Sequence, residues 1–207
     1  MIANAISPEF FEENQITKAS HTKFTVLMPA RIDPRKDHQT LLEALRILKK
    51  QFPLFQLQVI LIGEVNNTNT QQQINTTITK YNLESVIQQL PVTNNTLPHY
   101  HAADICVLPS ISEEFPNVIL ESLATKTPII VSEAANRAGL IQNENNGWIF
   151  PTGDSEALAH CIKTAWETPN KQRATMGEQG QLIASRFTIA KMVARYQQLY
   201  KCVVKRV

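Results

Sequence analysis

Short, nearly uninterrupted apolar runs alternate with longer segments whose apolar residues recur every three or four positions, and the alternation continues to about residue 168. Residues 24–30 (FTVLMPA) read as a strand, and 37–52 place Leu41, Leu42, Leu45 and Leu48 at helical spacing. Residues 57–63 (LQVILIG) are almost wholly apolar, as a strand covered on both faces must be. The polar 67–83 segment predicts a helix with Ile74, Ile78 and Tyr81 on one face. Further strands are predicted at 85–92, 104–110 and 127–132, separated by helical segments at 97–103 and 116–126. Residues 147–150 (GWIF) make a last short strand, and 154–167 a helix with an acidic cap and acidic first turn. Such strand–helix alternation predicts an α/β fold, a doubly wound parallel sheet of Rossmann-like type.

Beyond that point only helical patterns remain, at 171–187 and 189–207. The last directs Met192, Val193, Tyr196, Leu199 and Tyr200 toward a partner surface. Residues 1–22 read as a linker, and no internal repeat is visible. The division is thus 1–22 linker, 23–186 α/β domain and 187–207 terminal helix.

Composition narrows the function without choosing it. The 207 residues are 43 % hydrophobic and 18 % charged, enough for one sizeable core or two small ones. Formal net charge is +2 with both signs interspersed, so no broad field points to nucleic acid or a membrane surface. Cys106, Cys161 and Cys202 lie far apart, fit a reducing compartment, and are expected to pack as small apolar residues. With no signal-peptide pattern and no apolar run long enough to cross a bilayer, a cytoplasmic location is expected. The N-x-T triplets at Asn66, Asn75 and Asn94 reflect an Asn/Thr-rich region rather than glycosylation.

In open α/β sheets, ligands bind beyond the carboxyl ends of the strands, where loops enter helix N-termini. Two such loops carry suggestive chemistry. The first, ARIDPRKD, gathers Arg31, Arg35 and Lys36, donors suited to a diphosphate; spacing alone favours the plainer reading of a solvated basic loop. The second is SEEFPNVILES, 112–122. Pro116 suits a first helical position, so a helix starting near Phe115 would leave the N–H groups of Asn117 and Val118 facing an anion. The dipole at such a terminus contributes about 0.3 to 2 kcal/mol toward a phosphate. Glu121 shares a helix face with Asn117 and Thr125 and reads first as part of a polar stripe. Facing a crevice, the same carboxylate could accept from the vicinal hydroxyls of a ribose. His99 and His101 lack a third ligand at convincing spacing, so no metal site is expected. Neither G-x-G-x-x-G nor the P-loop pattern occurs, and with six glycines any phosphate site must rest on helix ends and basic side chains.

These segments resemble a family. SEEFPNVILESLATKTPIIVS resembles the E-x7-E signature of the group 1 glycosyltransferases, glycosyltransferase family 4, which are retaining enzymes of the GT-B fold using nucleotide sugars. ARIDPRKDHQTLLEAL resembles the family's G-R-L-x-x-x-K segment, LPHYHAADICVLPS its L-x-x-x-Y-x-x-A-D segment, and NENNGWIFPTGDSEALA its N-G-x6-D-x-x-x-L-A segment. The resemblance implies that Arg31 and Lys36 hold the diphosphate and stabilise the leaving charge. It implies that Glu113 orients the donor sugar, that the Phe115–Pro116–Asn117–Val118 turn binds phosphate through its amides, and that Glu121 holds the ribose. Backbone at Gln89 and Leu90 would meet the base. No metal or other cofactor is implied; the nucleotide diphosphate sugar is the donor substrate.

MIANAISPEFF resembles the family's interdomain linker, so the chain is expected to be the donor-binding, C-terminal half of a two-domain enzyme. Its partner would be an N-terminal acceptor-binding domain, in cis or in trans, with any peripheral membrane association residing in that other half. Alone, the chain is expected to bind nucleotide and transfer little sugar. The implied role is cell-surface polysaccharide or glycolipid synthesis. The alternatives are a non-catalytic nucleotide-sugar-binding subunit of a split enzyme, or another GT-B relative such as a sugar-nucleotide epimerase. Departures from the family pattern are Ala30, Pro91 and Glu114 where glycines are usual, and the 133–139 loop EAANRAG, which lacks paired glycines.

Overall fold

A computed structural model describes residues 3–12, 23–53 and 55–204. Of the expected linker, residues 13–22 lie outside the described part. Six strands form one sheet: β1 (Phe24–Pro29), β2 (Leu57–Ile62), β3 (Ile87–Leu90), β4 (Ile105–Leu108), β5 (Ile129–Ser132) and β6 (Gly147–Phe150). All neighbours pair in parallel, in the order β3-β2-β1-β4-β5-β6. The expected doubly wound α/β sheet is therefore present. The strand order reverses between β1 and β4, the position at which open α/β sheets carry a crevice between the loops leaving the two strands.

Alternation of side chains along each strand divides the core into two layers. Val26 and Met28 of β1, with Ile105 and Val107 of β4, enter a cluster with Leu41, Leu42, Leu45 and Leu48 of α1 (His38–Gln51). Ile74 and Ile78 of α2 (Thr68–Lys80) and Leu158 and Ile162 of α5 (Ser155–Glu167) complete it. Leu27, Cys106 and Leu108 face the other way, toward Tyr100 of α3 (Leu97–Ala102) and Ile119, Leu120 and Leu123 of α4 (Asn117–Ala124). Burial on both faces explains why the central strands are continuous apolar runs.

Helix starts follow the caps written in the sequence. Asp37 accepts from the Thr40 amide at 3.3 Å, Asn67 from Thr70 at 2.9 Å and Asp154 from Ala157 at 2.9 Å, each satisfying an amide the first turn leaves open. α6 (Asn170–Ala184) packs on α4 at Gly180, where a Cβ would lie 2.7 Å from Leu123 Cδ2, and on the turn after it at Gly177, where a Cβ would lie 2.2 Å from the Lys126 carbonyl oxygen. α7 (Ile189–Val204) closes the described chain.

Several expectations change in detail. The strand expected over 85–92 shortens to 87–90: Val86 is held in a turn by its N–H to Leu83, and Pro91 has no N–H for a ladder. Pro116 is the N-cap of α4 rather than its first helical residue, because its ψ of 126° is extended and the helix begins at Asn117. Tyr81 is the C-cap of α2 rather than a helical residue, yet it packs against the same core as Ile74 and Ile78, with the Arg46 guanidinium 5.5 Å from its ring centre. Cys106 is buried as expected, Cys161 is half-buried and Cys202 is exposed.

Candidate nucleotide-sugar site

The crevice between β1 and β4 is built by backbone contacts that hold its two loops. The loop after β1 is fixed at Ile32, whose N–H donates to the Glu64 carbonyl at 2.8 Å and whose own carbonyl accepts from Asn66 and Asn67. This approach requires Gly63, where a Cβ would stand 2.0 Å from the Ala30 carbonyl oxygen. The chain then makes a 3-10 turn, Pro34–Lys36, capped by Asp33, which accepts from the Arg35 amide at 2.9 Å and its Nε at 3.1 Å. Arg35 is thus turned back on Asp33 and holds that carboxyl below its ordinary range, with a smaller contribution from the nearby Arg31 charge. Arg31 is exposed.

The loop after β4 meets the first loop directly. The Ile111 N–H donates to the Arg35 carbonyl at 2.9 Å, and Lys36 Nζ forms an ion pair with Glu113 Oε1. Both side chains are largely enclosed, 16 % and 13 % exposed. Ser110 Oγ donates to the same Glu113 oxygen at 2.8 Å. Two residues predicted for different parts of a donor, Lys36 and Glu113, are therefore brought into contact. Glu114, by contrast, is exposed.

Next comes the start of α4. Extended Pro116 supplies no side-chain cap, so the first-turn amides at Asn117 and Val118 receive no acceptor from a capping side chain. The Asn117 side chain instead receives Asn4 Nδ2 at 2.9 Å, which also donates to the Phe115 carbonyl at 3.0 Å. The Phe115 ring lies 5.5 Å from that of Phe187. Ile6 donates to the Phe187 carbonyl at 2.9 Å, so the segment before β1 and the entry to α7 meet beside this helix terminus.

Glu121, one turn further, is half-buried and accepts from the Tyr100 hydroxyl at 2.7 Å. Burial pushes its carboxyl above the ordinary range, and the Tyr100 hydrogen bond draws it partly back. Gln89 and Leu90 sit at the end of edge strand β3, apart from this group. The Gln89 side chain is engaged by α2, accepting from Gln71 at 2.8 Å and donating to Asn75 at 3.1 Å. The glycine-poor 133–139 loop is held by Asn136, whose side chain bonds both the N–H and the carbonyl of Ile141 at 3.0 and 2.9 Å. Among the described residues no three His, Cys, Asp or Glu side chains group as a metal site, and no helix is long and apolar enough to cross a membrane.

Sequence reasoning missed Ser110, Asn4 and Tyr100. Their partners lie 3, 111 and 21 positions away, and two of those separations are too long for any local pattern to show.

The chain was compared with known proteins. The profile of the family described as Glycosyl transferases group 1 matches residues 9–182. An amylovoran biosynthesis glycosyltransferase, AmsK of Erwinia amylovora, is 30 % identical over 165 residues, covering 76 % of this chain and 39 % of that protein. A glycosyltransferase from Rickettsia africae superposes with a TM-score of 0.88 at 22 % identity, over 100 % of this chain and 57 % of that one, which establishes the fold. Anabaena Alr3699/HepE, solved in complex with UDP, matches at a TM-score of 0.78 and 25 % identity, over 97 % of this chain and 54 % of that one. The chain spans less than half the length of the first curated relatives it matches, 39 %, 45 % and 36 %. With the profile match, the parallel 3-2-1-4-5-6 sheet and the GT-B neighbours in agreement, the chain belongs to the group 1 glycosyltransferases.

Proposed function

We propose that this chain is the donor-binding half of a retaining glycosyltransferase that moves a sugar from a nucleotide diphosphate sugar to an acceptor in cell-surface polysaccharide or glycolipid assembly. The observation that carries the reading is the convergence at the β1/β4 reversal. There the Lys36–Glu113 pair joins the loops that follow β1 and β4, Arg31 is exposed in the first loop, and α4, which opens without a side-chain cap and carries Glu121, follows the second. Arg31, Lys36 and the amides of Asn117 and Val118, within the Phe115–Val118 turn, take the diphosphate, and the charge on the departing nucleotide goes to these groups rather than to a metal ion. A diphosphate drawing on Lys36 shares it with Glu113, leaving that carboxylate poised at the sugar. Glu121 accepts from the ribose, and backbone at Gln89 and Leu90 borders the base. The biosynthetic role of AmsK and the UDP in the HepE complex support the substrate class.

The acceptor half lies outside this chain. α7 offers it a surface: Ile189, Val193, Tyr196, Leu199, Tyr200 and Val203 are all exposed on one helix. A contiguous apolar face of that size marks an interaction site. The division into a 1–22 linker, a 23–186 donor domain and a 187–207 docking helix follows, whether the partner is joined in cis or supplied in trans.

Calorimetry with UDP, GDP and ADP tests the site. One of the three should bind clearly better, and Glu121→Ala should weaken it about tenfold, as loss of hydrogen bonds to a charged acceptor does. Burial raises the Glu121 carboxyl above its ordinary range, so the ribose-dependent part of the affinity belongs to the ionised form present on the high-pH side of that raised value. It is lost as pH falls through that raised value, before an ordinary carboxylate would protonate. The groups facing Glu121, the Tyr100 hydroxyl and the Cys106 thiol, are both pushed up by burial and stay protonated throughout. Equal affinity of wild type and Glu121→Ala for every nucleotide would remove Glu121 from the site.

A further inference from the structure

The Tyr100 ring is fully buried, inside the cluster formed by Leu108, Ile119, Leu120 and Leu123. Phe10 lies edge-on to it at 6.1 Å and 74°. Its backbone is fixed as well, the carbonyl accepting from buried Thr127 Oγ1 at 3.0 Å. Phenylalanine would satisfy all of this packing. A phenolic hydroxyl in such a core is a liability unless it is bonded, so the oxygen calls for a reason beyond burial.

That reason is at its far end. The hydroxyl emerges from the core at Glu121 and donates to Oε2 at 2.7 Å, the separation of a charge-assisted O–H···O bond. An ionised carboxylate offers about four lone-pair positions, and Tyr100 takes one, leaving Oε1 and the rest of Oε2. Glu is among the side chains with most rotamer freedom to lose on ordering. A rigid donor anchored in the core removes that freedom before any ligand arrives. It also opposes the desolvation that would otherwise protonate a half-buried acid.

We propose that Tyr100 is a positioning residue for ribose recognition: its hydroxyl, delivered from the core by α3, sets the Glu121 carboxylate so that its remaining lone pairs accept from the vicinal ribose hydroxyls. This rests on the assignment of Glu121 to the ribose made above. Tyr100 touches neither donor nor acceptor; it acts through Glu121.

The test is a ratio rather than a single affinity. Binding of UDP, GDP and ADP is compared with that of their 2′,3′-dideoxyribose forms, which lack both hydroxyls assigned to Glu121, in wild type and in Tyr100→Phe. Wild type should favour the ribose form of its preferred nucleotide about tenfold, the effect of one hydrogen bond to a charged group. Tyr100→Phe should weaken ribonucleotide binding by about the same factor while leaving the dideoxy form within about twofold, so that the ratio collapses. A residue that merely stabilised the domain would lower the melting temperature or weaken both forms together and keep the ratio. p-Fluorophenylalanine at position 100 fills the volume of the hydroxyl without its donor, and provides a packed variant if the space left by Phe upsets folding. An intact ratio in either folded variant overturns the role of Tyr100 while leaving Glu121 in place. If wild type shows no ribose preference, or Glu121→Ala changes nothing, the ribose assignment itself fails and this proposal falls with it.

Discussion

The two ends of β4 each hold an acid–base pair, and the pairs are built differently. At the amino end, Asp104 accepts the Thr25 amide at 2.9 Å and lies 3.6 Å from Arg173. That guanidinium also donates to the Ala165 and Thr168 carbonyls and to Asn170, stands 5.1 Å over the Phe24 ring, and is only 8 % exposed. At the carboxyl end, Lys36 pairs with Glu113, which also accepts the Ser110 hydroxyl, with His38 near Lys36 and the Arg35 charge near Glu113. The first cation is surrounded by fixed acceptors that hold α5, α6 and the sheet together. The second is a point charge on a flexible stem with one counter-ion, placed where two loops part. Planar Arg with several fixed partners suits a structural joint, whereas a mobile ammonium suits a charge that a ligand must share.

The largest effect should come from breaking the amino-end joint. Arg173→Met removes a buried cation while leaving several of its acceptors enclosed, a change that costs about 3 kcal/mol. For a chain of this size that lowers the melting temperature by about 6 to 12 °C, readable in a thermal scan. Nucleotide affinity, measured where the variant is folded, should be unchanged. If affinity fell while stability held, the comparison between the two ends would be inverted.

Lys36→Met should show the opposite pattern. Only one enclosed acceptor is left unpaired rather than several, so stability should fall by about 1 to 3 kcal/mol, less than for Arg173→Met. Sugar transfer by the complete enzyme, with the acceptor half present, should drop about a hundredfold, the usual cost of removing one preorganised group from a developing charge. A loss of stability comparable to that of Arg173→Met, with transfer intact, would make Lys36 a second structural joint.

The difference between the ends also explains what could be read in the sequence. Sheet and helix order were legible because buried strands and amphipathic helices write their periods locally, as 57–63 and the leucines of α1 do. Caps at Asp37, Asn67 and Asp154 act over three residues and are equally local. The individual residues of the crevice could be picked out from their chemistry and their likeness to family segments. Their mutual contacts could not, because Lys36 and Glu113 stand 77 positions apart and Tyr100 and Glu121 are joined by a packing arrangement rather than a spacing. Pro116 was misread by one position because proline suits both N-cap and first-turn φ, and ψ alone separates them.

The smallest expected effect concerns Glu114, where family members usually carry glycine. A carboxylate beside a diphosphate site repels it, but the size of the effect depends on where the side chain points. This one is exposed, next to a Glu113 that is turned inward onto Lys36. Repulsion through water between exposed charges is worth about 1 kcal/mol at most and is screened over about 10 Å at ordinary salt. Glu114→Gly should therefore tighten nucleotide diphosphate binding by about twofold to fivefold at low ionic strength, an increment that salt largely erases. The same substitution at Glu113 would free Lys36 yet lose the sugar contact proposed for Glu113, separating diphosphate affinity from transfer. A gain for Glu114→Gly that persisted in high salt would mean that its carboxylate turns into the crevice when the nucleotide binds. The carboxyl end of β4 would then reorganise around its ligand, while the amino end stays fixed by Arg173.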